Sequence, residues 1–315
     1  MPSISFVIVV YRNSAESIVS LVDVLQKGSD LAGYLCEVVV INNDAQDTLD
    51  FDGEANVRVL SGHGNIGFAA GTALGTSSST GEILVFANPD IDPEVFAVAN
   101  FVKKCVDDAD SVHIPKLVDC EGKLDYAAYE NWTFTPGRSS AAYLCRNKLF
   151  AGETTRVLPR YAKAPGAWVG MSRIAAERLI FVFDPDFFLY GEDRDFTDRV
   201  RRSGIRILAH SNISIPHAGG ASSEGLGGLV SRCKADANLR IAYRRYGRAG
   251  ALIEAADLVV HSITAYLRRR ALAGSLLEAR WSEIRRWWAA RFTDPGPLNS
   301  TTATERPLTG LEGRA

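Results

Sequence analysis

The sequence predicts an α/β fold with a mainly parallel sheet, followed by a helical C-terminal extension. Short β-branched runs alternate with amphipathic helical patterns through the first half of the chain. Polar residues fall immediately after those apolar runs, where open α/β sheets bind ligands. Beyond residue 222 the period becomes helical and arginine-rich.

The runs Ile4–Val10, Glu37–Ile41, Val57–Leu60 and Ile83–Ala87 read as strands, with helices at Ser14–Lys27, Gly67–Ser77 and Pro93–Asp107 between them. From Tyr126 to Ala164 the pattern is irregular, with Pro136-Gly137 and Ser139-Ser140, and a mobile loop or flap is expected. Order returns with a strand at Ala167–Met171, a helix near Arg173–Leu179 and a helix at Asp193–Ser203 closed by Gly204. Strands at Arg206–Leu208 and Ile213–Pro216 follow, then helices from about Leu229 to Phe292. The expected divisions are 1–222, 223–293 and a disordered Thr-, Pro- and Gly-rich tail at 294–315.

With 315 residues and 46% hydrophobic content, the chain can bury one large core and a smaller appended one. The formal net charge of -2 conceals an asymmetry, because arginine is sparse through the first 130 residues and dense after Arg194. Five cysteines show no CxxC pair or zinc spacing, which points to reduced thiols and a cytoplasmic protein. The apolar start is short, lacks a basic leader and reads as a strand, not a signal peptide; no uncharged apolar stretch is long enough to span a bilayer.

Four segments can carry chemistry. Asn88-Pro89-Asp90-Ile91-Asp92 follows a buried strand, where a carboxylate can meet Mg²⁺ or Mn²⁺ bridging to a diphosphate. Asp92 before Pro93 would equally serve as a helix cap, which leaves Asp90 for the ion. Tyr190-Gly191-Glu192-Asp193-Arg194-Asp195 opens a helix beside an apolar wall, so a carboxylate there can act as a base. Capping, with Asp195 and Asp198 paired to Arg199, Arg201 or Arg202, would explain the same residues. His217, at a strand end before Ala218-Gly219-Gly220, can ligate a metal or merely fill space; His63, His113, His210 and His261 have weaker settings. Gly62 to Gly71 offers glycines at a strand-to-helix junction without the Lys-Ser/Thr ending of a P-loop. No Gly-x-Ser-x-Gly elbow or His-Glu-x-x-His motif is present.

In this order the motifs resemble the family 2 glycosyltransferases, within them the rhamnosyltransferase-like group, over residues 4–222. The segments are Phe6–Asn13, Val38–Asn43, Asn65–Gly71, Asn88-Pro89-Asp90, Gly166–Met171, Phe183–Asp193 and His217–Gly220. The resemblance implies a type A nucleotide-sugar-binding fold and an inverting, metal-dependent transfer. The sugar, rhamnose favoured, would pass from a dTDP- or UDP-linked donor to a hydroxyl of a surface glycan or lipid-linked acceptor. It implies Asp193 as general base and Asp90 with His217 as contacts to Mg²⁺ or Mn²⁺. Tyr11 and Asn13 would flank the nucleoside, with Asn65, Gly67 and Asn88 on the ribose and diphosphate side. Gly166, Trp168 and Glu192 would lie on the acceptor or sugar side. An Asp usually stands where Asn42 is, so base recognition is altered, with Asp44 as a substitute.

The C-terminal helices mix cations with aromatics, as in Trp281-Ser-Glu-Ile-Arg-Arg-Trp-Trp288, which suits a membrane interface at the inner face of the plasma membrane. A helical cap with a solvated arginine face is the plainer reading, and nothing in the pattern calls for nucleic acid. A nucleotidyltransferase would need a basic glycine-rich loop where Tyr11-Arg12-Asn13-Ser14 stands. A non-catalytic nucleotide- or glycan-binding module is the remaining alternative.

Overall fold

A computed structural model describes residues 2–44, 49, 51, 56–125, 149–152, 154–160, 162–219, 227–268 and 273–298. The chain divides into two units, Met1–Glu224 and Gly225–Ala315.

The first unit is built on β1 (Ile4–Val10), which is buried at every position because layers cover both its faces. Ile4, Phe6, Ile8 and Val10 join a core with Ile18, Leu21 and Leu25 of α1 (Ala15–Ala32), while Val7 joins the opposite core. Buried Ser5 is satisfied by donating to Glu37 and accepting from Gly81 N. Helix α1 starts under the Ser14 cap, whose Oγ accepts from Ser17 N, and ends at Gly33 in the left-handed region. It runs five residues past the expected end, because Gly28 and Ser29 face the core and do not stop the helix.

After α1 come β2 (Cys36–Asn42), β3 (Val57–Leu60), α2 (Phe68–Ser77), β4 (Ile83–Ala87), α3 (Val95–Asp107) and β5 (Val112–Val118). Edge strand β6 (Thr155–Val157), β7 (Trp168–Ser172), α4 (Arg173–Glu177), α5 (Glu192–Arg202) and β8 (Ile207–Pro216) complete the unit. The eight strands form one sheet in the order β3-β2-β1-β4-β7-β5-β8-β6. The block β3-β2-β1-β4 is parallel, as is β5 with β8, while β7 runs antiparallel to both β4 and β5 and β6 antiparallel to β8.

Several expectations need correction. Strand β5 escapes the apolar-run criterion because His113, Pro115 and Lys116 interrupt it. The two strands expected at 206–216 are one, with a bulge opposite Pro115 and Lys116 that shifts its register. Part of the expected flap is ordered: Thr155–Val157 pairs with β8, and Ala162 and Ala164 are fully buried. Residues 126–148 of that flap lie outside the described residues.

His113 of β5 and His210 of β8 meet in this sheet. Nδ1 of His113 is 2.9 Å from Nε2 of His210, and the rings are coplanar within 4° with centroids 5.2 Å apart. Those numbers describe an in-plane hydrogen bond, since face-to-face stacking would separate the nitrogens differently. The chain of bonds continues to the Asp108 carbonyl at one end and the Thr155 hydroxyl at the other.

In the second unit, α6 (Gly227–Arg268) is broken at Gly247 (φ 64°, ψ -155°), and α7 (Ala273–Ala289) packs on it through Leu239, Leu258, Ile284 and Trp287. Fully buried Arg240 is paired with Asp236 and with both carboxylate oxygens of Asp294, at 2.6 and 2.7 Å. Arg286 and Trp287 Nε1 also donate to Asp236. Asp294 to Leu298, expected in a disordered tail, is thereby tied down, and residues 299–315 lie outside the described residues. Among the described residues, no helix is long and apolar enough to cross a membrane.

Candidate functional site

At the carboxyl ends of β1 and β2 the backbone turns sharply. Arg12 adopts φ 59°, Asn13 Oδ1 accepts from Tyr11 N at 3.1 Å, and the Arg12 guanidinium lies 5.1 Å from the Tyr11 ring centre. Asn42 is buried and its Oδ1 accepts from Asp44 N at 2.9 Å, which closes a turn in which asparagine serves as well as aspartate. Next to it, Asn43 donates through Nδ2 to Gly67 O, while its buried Oδ1 has no hydrogen-bond partner.

Asn65 Oδ1 accepts from Gly67 N, and Phe68 N donates to Phe188 O. Gly67 has φ 85°, and a Cβ there would strike the Phe188 carbonyl. Close backbone contact with the segment leading into α5 therefore explains this glycine. The glycine loop is thus joined to β2 on one side and to the approach to α5 on the other.

Asp90 sits in the turn after β4. Helix α3 begins only at Val95, so Asp92, expected as its cap, is exposed and not a cap. A bridge between Ile91 and His217 brings the β8 end alongside. His217 Nε2 stands 3.4 Å from Asp90 Oδ1, a buried oxygen with no hydrogen-bond partner, and His217 Nδ1 lies 2.8 Å from Asp125 Oδ2. Burial alone would lower the His217 pKa, but Asp125 and Asp90 outweigh it and push it up to about 9. Only the neutral ring can ligate a metal, so a cation at Asp90 would take the place of the Nε2 proton that these carboxylates favour.

Among the described residues no group of three His, Cys, Asp or Glu has metal-binding spacing. The orphaned Asp90 oxygen beside an imidazole nonetheless fits a hard divalent cation that takes its remaining ligands from phosphate and water. Asp125 is placed to orient His217, as carboxylates behind ligating histidines do.

The third group lies at the start of α5. Tyr190 (φ 68°) and Gly191 (φ 86°) both take the left-handed conformation, and this turn aims Glu192 and Asp193. Asp193 Oδ1 accepts from Arg194 N at 2.7 Å, and Oδ2 is ion-paired with Lys163. Glu192 is buried and its Oε2 has no partner; burial first, then the Asp193 charge, pushes its pKa up to about 8. Burial and the Asp193 charge thus both favour the protonated form of Glu192. Gly166 faces both, since a Cβ on it would lie 3.7 Å from Asp193 Cβ and 3.8 Å from Glu192 Oε1. Asn88 N donates to Ala167 O, which ties the Asp90 turn to the strand that follows Gly166.

Trp168 does not belong to the site. It is fully buried and packs edge-on against Phe6 and Phe101 in the core beneath α1 and α3, so no acceptor can reach it. Asp195 and Asp198 do pair with Arg199 and Arg202 along α5, whereas Arg201 donates to the carbonyls of Pro159 and Ala162. Sequence reasoning placed Asn43 in a motif without a role and missed Asp125 and Lys163. Lys163 and Asp125 sit next to or within an irregular stretch, where neither period nor motif singles out a residue.

No family model matches the chain, and comparison with curated proteins finds no match. Solved structures do share its fold. GalNAc-T7 with UDP, GalNAc and Mn²⁺ superposes with a TM-score of 0.53 and 15% identity, covering 69% of this chain and 44% of that one. The mannosyltransferase PcManGT from Pyrobaculum calidifontis, in complex with GDP-Man and Mn²⁺, gives 0.51 and 15%, covering 93% and 87%. The chain spans less than half of GalNAc-T7. At this identity the likeness is one of architecture. The eight-stranded sheet and its flanking helices are the nucleotide-sugar-binding fold of the type A glycosyltransferases.

Proposed function

We propose that the protein is a metal-dependent glycosyltransferase that moves a sugar from a nucleoside diphosphate to an acceptor hydroxyl with inversion. The carrying observation is the convergence, in a type A fold, of Asp90 and His217 at one strand end and ionic Asp193 at the adjoining helix start.

Asp193 takes the proton of the acceptor hydroxyl as that oxygen attacks the anomeric carbon and the bond to the diphosphate breaks. Asp90 and His217 hold a divalent cation, Mg²⁺ or Mn²⁺, which when bound supplies Lewis-acid neutralisation of the departing diphosphate. Tyr11 and Asn13 flank the nucleoside, Asn42 and Asp44 shape the base end, and Asn65, Gly67 and Asn88 set the ribose and diphosphate side. Gly166 leaves room beside Asp193 for the acceptor or sugar, and Glu192 lines that space. The sequence resemblance supports a dTDP- or UDP-linked donor with rhamnose favoured, and a surface glycan or lipid-linked acceptor.

Residues 225–298 carry thirteen Lys and Arg against six Asp and Glu, and Trp281 and Trp288 are exposed on α7. This supports contact with an anionic membrane where a lipid-linked acceptor would be met.

Release of nucleoside diphosphate from dTDP-rhamnose, UDP-hexoses and GDP-mannose tests the reading. Release from one donor, abolished by EDTA and restored by Mn²⁺, supports it. Metal-dependent nucleotide binding without release from any donor would favour a non-catalytic module on the same fold.

A further inference from the structure

We infer that Lys163 is a positioning residue that fixes the reactive oxygen of Asp193. The inference rests on Asp193 being the base and adds a second residue to its action.

Among the described residues each oxygen of Asp193 is held by one donor: Oδ1 by Arg194 N and Oδ2 by the Lys163 ammonium. A carboxylate oxygen has two acceptor positions, so Oδ2 keeps one for an incoming hydroxyl. Both partners are largely shielded, with side chains 14% and 17% exposed. Among the described residues Glu192 and Arg194 also lie near, and Lys163 and Arg194 both act to lower the Glu192 pKa, but the ion pair that the lysine makes is with Asp193 Oδ2.

The backbone on both sides of Lys163 is clamped to the helix that carries Asp193. Arg201 Nη2 donates to Pro159 O and Ala162 O, each at 2.7 Å. On the other side Ala164 N donates to Thr197 Oγ1 at 2.9 Å, and that hydroxyl donates to Asp193 O at 2.7 Å. Ala162 and Ala164 are both fully buried. A lysine that merely neutralised a surface carboxylate would need none of this, because its long stem reaches such partners from mobile backbone. Here a flexible side chain is delivered from fixed backbone to one oxygen of one carboxylate.

The ion pair can be tested on the unmodified full chain by acetylating amines with an N-hydroxysuccinimide ester and following each lysine by mass spectrometry. Lys163 is expected to react at least about tenfold more slowly than exposed Lys103, and to approach Lys103 in Asp193→Asn. Equal rates in the unmodified protein would overturn the inference.

Turnover then tests the role, read as nucleoside diphosphate release from the donor that the protein consumes. Lys163→Met should lower kcat about tenfold or more with donor KM within about twofold, and Lys163→Arg should restore most of it. In an Asp193→Asn background Lys163→Met should add nothing, since both act through one oxygen. If Asp193→Asn abolishes turnover while Lys163→Met turns over normally, the Lys163 inference fails and the base assignment stands. If Asp193→Asn turns over normally, the base assignment itself fails.

Discussion

The α/β unit and the helical unit both bury charged side chains, but they treat them in opposite ways. In the helical unit Asp236 accepts from Arg240, Arg286 and Trp287, and Glu283 from Arg232 and Arg286. Among the described residues, no buried side-chain nitrogen or oxygen of that unit lacks a partner. In the α/β unit Asn43 Oδ1, Asp90 Oδ1 and Glu192 Oε2 are buried and unpartnered; the first two follow β2 and β4, and the third opens α5. Because an unmade buried hydrogen bond costs about 1–3 kcal/mol, completed networks mark structure and incomplete ones mark places where a ligand can complete them. His63, Trp168 and Ser211 also contribute unpartnered atoms, so an unmade hydrogen bond does not by itself assign a residue to the site.

The comparison can be broken most sharply at Asp193. Its replacement by Asn should lower turnover on the order of 10²–10⁴-fold while nucleotide binding stays within about twofold, as calorimetry would show. Normal turnover would return α5 to a purely structural role.

In the completed network the loss should be one of stability. Removing one partner of a buried ion pair costs about 3–5 kcal/mol, so Asp236→Ala should lower the unfolding temperature of the helical unit and leave nucleotide binding unchanged. An unfolding curve like that of the parent chain would contradict the reading of Arg240 and Asp236 as a structural pair.

A smaller effect follows from the paired histidines of the sheet. Burial holds His113 below its usual range, and burial, then His113, lowers His210 to about 4, with Lys104 and Arg206 opposing protonation and Asp108 favouring it. Both are neutral when folded, whereas unfolded histidine protonates near 6.5. The contribution of this pair should be complete above about pH 6.5 and be lost as pH drops towards 4, opposite in sign to that of His217 and Glu192, whose raised values favour the folded state at lower pH. Chemical denaturation at stepped pH of the parent chain and of His113→Leu with His210→Leu checks this: the parent should lose more stability than the variant between pH 7 and 5, and equal losses would contradict it. The weakest expected effect is at the surface: Trp281→Ser with Trp288→Ser should reduce sedimentation with anionic vesicles several-fold and leave folding intact.

Much of this was legible in the sequence, and what was not has physical causes. Strands buried on both faces, such as β1 and β4, announce themselves as runs that are apolar but for Ser5, and three strands match to the residue at both ends. Strand β5 hid because its buried His113 is satisfied by another histidine 97 residues away, a pairing that no local pattern contains. Asp90 and His217 stood out as candidates because each follows a strand, and Asp193 because it opens a helix. Trp168 misled because a conspicuous aromatic beside a glycine looks like a ligand platform, whereas strand alternation turns it into the core. Lys163 and Asp125 were illegible because their significance lies in the partner each meets across the fold.

The central claim is that the strand end bearing Asp90 and His217 is completed by a cation and a nucleotide together. Isothermal titration of the purified chain with dTDP, UDP and GDP, with and without Mn²⁺, tests it most directly. The account predicts that one nucleotide binds in Mn²⁺, at least about tenfold more weakly in EDTA, and that Asp90→Ala removes the metal dependence. Equal binding with and without metal, or no binding of any nucleotide, would contradict it.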